Sequence, residues 1–416
     1  MGKNLYRLFI YLYPLTIKIA SPFNPKAKLW IQGRQNVLKR MQQTITPDEK
    51  IIWTHCSSLG EFEQGRPVLE RLKIENRKSK ILLTFFSPSG YEVRKNYEGA
   101  DYIFYLPMDT PGNAGAFLNI VKPSLILFIK YEFWHFYLHE AKKRNIPLLL
   151  VSGIFRKEQP FFKPYGHFHR NMLRCFTHFF VQNNESVALL NSIGITKNVS
   201  LSGDTRFDRV IEIAENFEPI PFFDNFCLGH EVVVAGSTWS EDDEQLNHYV
   251  NAKSDIRFII APHDINAERL KECKRLYKHS IFYSQTNKPI AANTNTIIIN
   301  NIGMLSRLYK YATISYVGGA FGEDGVHNVL EAAVYGKPVV FGPEYKKYYE
   351  AIELVNSGGG LSINNVLELE KVLNTLLKKD HEYLTACKAS HQYVYSKKGA
   401  TGKVIEFIQA NRLLTN

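Results

Sequence analysis

Three stretches put chemically able side chains just after apolar runs, where a strand would end and a loop begin. In Trp53-Thr54-His55-Cys56-Ser57-Ser58-Leu59-Gly60-Glu61, a strand passes through small residues into a helix starting near Gly60. The Glu61 carboxylate then sits at a helix N-terminus, able to take a proton from a substrate hydroxyl or simply to complement the helix dipole. Ala235-Gly236-Ser237-Thr238 leaves a Val-rich run. Its glycine permits close backbone approach, and its two hydroxyls are donors suited to a phosphate. The acids Glu241 to Glu244 read as the first turn of a helix capped by Ser240, not as a metal site.

The most specific stretch is Val317-Gly318-Gly319-Ala320-Phe321-Gly322-Glu323-Asp324-Gly325-Val326-His327-Asn328-Val329-Leu330-Glu331. A glycine-rich loop empties into a predicted helix whose first turn carries His327 and Asn328, with Glu331 one turn farther on the same face. Helix-start amides suit a phosphate, and a carboxylate one turn later suits ribose hydroxyls. With the returning Gly336-Lys337-Pro338, the combination indicates nucleotide-sugar binding. His135 and His139, with Glu132 upstream, share a helical face, but no third His lies nearby and no metal site is expected.

Placing these groups needs an alternation of short strands and longer helices. From residue 51 onward β-branched and aromatic runs alternate with amphipathic stretches, as in βαβ units around parallel sheets. Predicted strands are 51–54, 81–86, 102–106, 125–129, 148–151, 179–182 and 199–202, then 231–235, 257–261, 281–283, 296–299, 313–317 and 338–341. The expected fold is α/β, with two doubly wound, Rossmann-like domains facing across a cleft at their strand C-terminal ends. The predicted division is a membrane-associated segment 1–50, a first domain 51–210, a linker 211–229, a second domain 230–390 and a C-terminal segment 391–416. At 416 residues, 45% hydrophobic and 22% charged, the chain suits two or three folded domains and excludes a largely disordered or collagenous one. Five scattered cysteines without a Cys-x-x-Cys pair argue against a disulfide framework or cysteine zinc site and fit a reducing compartment.

The net charge of +11 points to an anionic partner, and its distribution narrows the choice. Residues 1–50 hold nine cations and two anions, a net of +7. At helical spacing Leu5, Leu8, Phe9, Leu12, Leu15 and Ile19 form one stripe, with Lys3, Arg7 and Lys18 on another side. The ten uncharged residues from Leu8 to Ile17 include Pro14 and fall well short of the roughly 20 needed for a span. The expectation is a helix lying on the cytoplasmic face of a membrane, where each Lys or Arg contributes about 1 kcal/mol toward anionic headgroups; the rival reading is a core-packed helix with a solvated basic face. No cleavage site follows the apolar stretch, so a removed signal peptide is not expected. No interleaved Arg and aromatic stripe suited to RNA appears, and no nucleic-acid partner is expected.

In collinear order over nearly the whole chain, the motifs resemble those of the 3-deoxy-D-manno-octulosonic acid (Kdo) transferase family. The family's His-x-x-Ser-x-Gly-Glu is met by His55, Ser58, Gly60 and Glu61, and its Pro-x-Asp by Pro107 and Asp109. Its Glu-x-Trp is met by Glu132 and Trp134, and its Gly-x-x-Lys-Phe-Asp by Gly203, Arg206, Phe207 and Asp208. The Ser-Thr turn is met by Ser237 and Thr238, and His-Asn-x-x-Glu by His327, Asn328 and Glu331. Lys130 stands where a first Glu is usual, Arg206 for Lys, Asp204 for Asn, and Pro262-His263 for Pro-Arg-His.

The resemblance implies a GT-B fold, a C-terminal helix returning to the N-terminal domain, and a metal-independent, cofactor-free, inverting transfer of Kdo from CMP-Kdo to a lipid A precursor at the inner membrane. It implies Glu61 as general base. Ser237, Thr238, Pro262, His263, Gly318, Gly319, Gly325, His327, Asn328 and Glu331 would then bind the donor. Ser58, Gly60, Lys130, Glu132, Arg206 and Arg209 would bind the acceptor, the cations on its phosphates. A monophosphate ester leaving group needs only amides and hydroxyls to disperse its charge, so no metal is required. The alternatives are an envelope GT-B transferase using a nucleoside diphosphate sugar, and a non-catalytic module binding anionic lipid.

Overall fold

The computed structural model describes residues 2–414, and the chain divides into two compact units, Met1–Asp208 with Gly399–Asn416, and Arg209–Lys398. The first unit is built on a seven-stranded sheet of β1 (Ile51–Cys56), β2 (Lys80–Phe85), β3 (Tyr102–Tyr105), β4 (Pro123–Ile129), β5 (Leu148–Gly153), β6 (His178–Val181) and β7 (Val199–Leu201). Their order is β3-β2-β1-β4-β5-β6-β7, and every pairing is parallel. Both faces are covered, and the alternation of the strands sorts the core. Trp53, Leu82, Ile126 and Phe128 point to one face, while Ile52, Leu83, Leu125 and Leu127 point to the other.

The second unit repeats the plan with β8 (Glu231–Thr238), β9 (Ile256–Pro262), β10 (Ser280–Phe282), β11 (Thr296–Ile298), β12 (Ile314–Val317), β13 (Val339–Phe341) and β14 (Gly360–Ser362). Its order is β10-β11-β9-β8-β12-β13-β14, again all parallel. Each sheet has a central switch point, between β1 and β4 in the first and between β8 and β12 in the second, where successive strands pass to opposite sides. Ligands of such sheets bind at that switch point, beyond the strand C-termini. Two parallel seven-stranded sheets of this kind make a GT-B-like α/β architecture. All thirteen predicted strands are present; β14 was not predicted because Gly-Leu-Ser, following two further glycines, carries no β-branched residue.

Three boundaries differ from the sequence reading. Residues 211–229 are not a bare linker: the Thr205–Glu215 helix runs into them and a second helix, Pro221–Phe226, follows. Phe223 there is fully buried and stacks on Tyr283 at 5.4 Å, so the segment belongs to the second unit's packing. At the other end the His381–Tyr395 helix stays with the second unit, and the chain joins the first only from Gly399. The Ala400–Ala410 helix buries Val404, Ile405 and Ile408 beside Val68, Leu69 and Leu72, and Asp208 caps it by accepting from the Gly399 and Thr401 amides at 2.5 and 2.6 Å.

The Gly2–Ala20 helix packs by a stripe other than the predicted apolar one. Ile10 is buried, and Tyr6, Tyr13 and Ile17 lean on the first unit's core. Leu5, Leu8, Phe9, Leu12, Leu15 and Ile19 face outward, each at least 46% exposed. The helix is therefore apolar on nearly all sides and only partly covered. No helix among the described residues is long and apolar enough to cross a membrane.

Candidate functional site

In the first unit the switch point is lined from β1 and β4. Leaving β1, the chain turns at Ser57 and Ser58 into the Leu59–Glu75 helix, with Ser58 at its N-cap and Glu61 in its first turn. The Glu61 carboxylate reaches back to accept from the Ser57 amide, so the capping role weighed from the sequence is real. Yet Glu61 is 8% exposed and its surroundings are hostile to charge. Burial first, then the nearby Glu132 carboxylate, push its pKa up to about 8 against the pull of the Ser57 amide and Lys130. Gly60 beside it is exposed, and a Cβ built there meets nothing within 4 Å.

From β4 come Lys130, in the left-handed region at φ 67°, and Glu132. Glu132 Oε2 lies 3.6 Å from Nε2 of the fully buried His55. That nitrogen accepts from Trp134 Nε1 at 3.3 Å, which leaves the His55 proton on Nδ1 for Thr84 Oγ1 at 2.9 Å. Arg206 does not stand ready as a phosphate ligand: it makes hydrogen bonds of 2.8 and 3.0 Å to Asp204, which also accepts from Gln64 at 3.0 Å. Although buried, Asp204 is held below the usual carboxylate range by Arg206 and, more weakly, by Lys130. Two departures from the family pattern thus answer one another, a cation at 130 and an anion at 204. Arg209 falls in the second unit, where it donates to Glu212 at 3.0 Å.

One contact here had no sequence signal. Tyr6 on the N-terminal helix donates its hydroxyl to Asp109, which also accepts from the Phe136 and Tyr137 amides at 2.9 Å and so caps the His135–Lys143 helix. Burial lifts Asp109 to about 6 despite these three donors. The rings of His135 and His139 lie 4.1 Å apart, tilted by 47°, while Glu132 faces His55 instead; among the described residues no three groups gather as metal ligands.

In the second unit the switch point lies between β8 and β12, where Gly318 donates to the Gly236 carbonyl at 2.9 Å. Ser237, at φ 53°, is half-buried, but Thr238 is fully buried and offers no hydroxyl to a ligand arriving from solvent. The acids do more than fill a helix turn. Ser240 is the first helical residue and not the cap, and it donates to Glu272. Asp242 is buried and accepts from the Trp239 and Gly319 amides at 2.9 and 2.8 Å and from the Tyr316 hydroxyl at 2.7 Å. Asp243 is buried against Arg269 at 2.6 Å and the Tyr277 hydroxyl at 2.8 Å. These carboxylates tie the strand ends together.

The glycine loop differs from the prediction as well. His327 and Asn328 lie ahead of the helix, which spans only Leu330–Ala333, because His327 gives its amide to the Gly318 carbonyl at 3.1 Å instead of starting a helical turn. Asn328 donates to Glu331 at 2.9 Å, which keeps the predicted pair together. Gly319 is required: at φ +95° a Cβ would lie 2.5 Å from the Gly325 carbonyl and 2.7 Å from the His327 ring. His263, following Pro262 at the end of β9, is exposed and stacks on His327 at 4.4 Å. Trp239, which the sequence reading passed over, stacks on His263 at 4.7 Å. Its position directly after the Ser-Thr turn is the signal that would have found it.

A family model described as 3-deoxy-D-manno-octulosonic-acid transferase (kdotransferase) matches residues 32–209. A bifunctional glycosyltransferase/methyltransferase of Fusobacterium nucleatum is 28% identical over 81% of this chain, which spans only 54% of that protein's length. A 3-deoxy-D-manno-octulosonic acid transferase of Aquifex aeolicus is 28% identical over 83% of this chain and 92% of its own. Among solved structures, the UDP-GlcNAc 2-epimerase of Neisseria meningitidis bound to UDP-GlcNAc superposes with a TM-score of 0.61 at 15% identity, over 87% of this chain and 100% of that one, a likeness of fold alone. The family match runs across the very strand ends that carry Glu61, Lys130 and Arg206, and the relatives follow the chain well beyond it; over most of its length the chain is similar to the 3-deoxy-D-manno-octulosonic-acid (Kdo) transferases.

Proposed function

We propose that the chain transfers Kdo from CMP-Kdo to a lipid A precursor, with inversion and without a metal, at the cytoplasmic face of the inner membrane. The observation that carries this reading is Glu61. It is a buried carboxyl at the switch point of the first unit, tuned by Glu132 and Lys130 to lose its proton near pH 8. As general base it takes the proton of the attacking sugar hydroxyl. Lys130, with Ser58 and Gly60, holds the acceptor, and Arg206 acts through Asp204. In the second unit Ser237, His263, His327, Asn328 and Glu331 hold the cytidylate, with Gly318, Gly319 and Gly325 allowing its close approach. Leaving as a monophosphate, the cytidylate needs only neutral donors to carry its developing charge.

The outward stripe Leu5, Leu8, Phe9, Leu12, Leu15 and Ile19 supports membrane binding, because an apolar patch of this kind beside Lys3, Arg7 and Lys18 suits an interfacial helix. Incubating the chain with CMP-Kdo and lipid A precursor and weighing the products tests the reading. One or more added Kdo masses is the expected result. No product, with UDP binding in place of CMP, would transfer the chain to the nucleoside-diphosphate-sugar alternative.

A further inference from the structure

Trp239 and His327 form a flat pair. Trp239 Nε1 donates to His327 Nε2 at 2.9 Å, the two rings lie within 13° of one plane, and their centroids are 6.4 Å apart, the spacing of rings joined edge to edge. His263 covers the pair, 4.7 Å from Trp239 and 4.4 Å from His327, tilted by 23° and 16°. The three rings come from three different strand ends and are pinned by their backbones. Trp239 is held by Asp242, His263 gives its amide to the Thr238 carbonyl at 3.0 Å, and His327 gives its amide to Gly318.

A neutral imidazole has one nitrogen that donates and one that accepts. An indole N–H can only donate, so the Trp239 bond requires a bare Nε2 and places the ring proton on Nδ1. We infer that Trp239 is a positioning residue that locks His327 in the Nδ1–H form, and that the phosphate of the cytidylate donor receives this N–H. The inference rests on the donor assignment made above and adds a residue and an atom to it. Such a donor is neutral, so it recognises phosphate without a counter-charge that would hold back the leaving group.

The groups facing His327 agree with a neutral ring. Burial, then His263, bring its pKa down to about 4, and Asp324 opposes them only partly. The rings beneath His263 shield its covered face from water, which outweighs Asp264 and Asp324 and lowers its pKa.

Histidine 15N spectra of the full-length chain, with His327→Gln to assign the ring, read the tautomer directly. The proton is expected on Nδ1 from about pH 5.5 to about pH 8, with Trp239→Phe giving mixed tautomers over the same range. The binding probe is the methyl ester of cytidine 5′-phosphate, a diester whose charge is constant over that range. Wild-type affinity for it should be flat with pH. Trp239→Phe should bind about two- to tenfold more weakly across that range, as the competent tautomer falls to between one half and one tenth. A wild-type ring protonated on Nε2, or a Trp239→Phe variant with the wild-type tautomer and affinity, overturns the inference by itself. Failure of the wild-type chain to bind the probe at any pH overturns the phosphate contact and the functional reading together.

Discussion

Glu61 meets two demands that pull in opposite directions. A base must be ionised when the hydroxyl arrives, yet burial and Glu132 keep this carboxyl protonated until about pH 8. The kcat/KM of the free chain is therefore expected to rise about tenfold per pH unit below about pH 8 and then level, a profile that initial rates at low substrate would display. Glu61→Gln should lower turnover at least about 100-fold while leaving CMP affinity within about twofold; near-normal turnover would remove Glu61 from the base role. The same residue predicts a stability effect of opposite sign. The folded chain keeps a proton that the unfolded chain releases above its own pKa near 4.5, so wild-type stability declines as pH climbs from about 4.5 to about 8. Glu61→Gln escapes that decline and keeps the bond from Ser57. Its melting temperature should exceed wild type by a margin that widens over this window, worth at most about 5 kcal/mol. A constant margin across pH would show that the Glu61 pKa is not raised.

At the scale of elements, the site is made by strand ends, and two glycines there have opposite tasks. Gly319 carries the turn after β12 in the left-handed region, pressed against the Gly325 carbonyl and His327. Gly319→Ala should cost about 2 kcal/mol or more in urea unfolding and abolish CMP binding with it. Gly60 meets nothing within 4 Å of a built Cβ. Gly60→Ala should leave unfolding unchanged or raise its midpoint slightly, since alanine is the better helix former. The acceptor KM should nevertheless rise severalfold if the acceptor occupies that open space; an unchanged KM would take Gly60 out of the acceptor site.

Across the whole molecule, the asymmetry that matters is the N-terminal helix. Tyr6, Ile10, Tyr13 and Ile17 anchor it to the first unit, and the opposite stripe is left uncovered. Each leucine buried from water contributes about 1.5–3 kcal/mol. Leu8→Glu with Leu12→Glu should therefore reduce sedimentation with anionic phospholipid vesicles by at least about tenfold and leave melting unchanged, both positions lying off the packed stripe. Equal sedimentation of the variant would mean that the uncovered stripe does not reach the lipid. Raised salt should weaken binding of the wild-type chain as Lys3, Arg7 and Lys18 are screened.

Short, nearly unbroken runs of β-branched and aromatic residues made thirteen of the fourteen strands among the described residues legible, because parallel strands covered on both faces must be apolar along their length. Local order also sufficed for Glu61 in a helix's first turn and for the glycine turn after β12, since both are fixed within a few bonds of chain. Other features depended on what lay opposite, and periodicity carries no such information. An all-round apolar helix could not reveal which stripe would meet the core, so Tyr6 and Ile10 packed while Leu5 and Leu8 stayed outside. Nor could spacing show that Arg206 would spend its charge on Asp204, or that Trp239 would find the ring of His327 across 88 residues. The partnership of Trp239 with His327 is set by sheet order, which brings distant strand ends together only when the chain has folded.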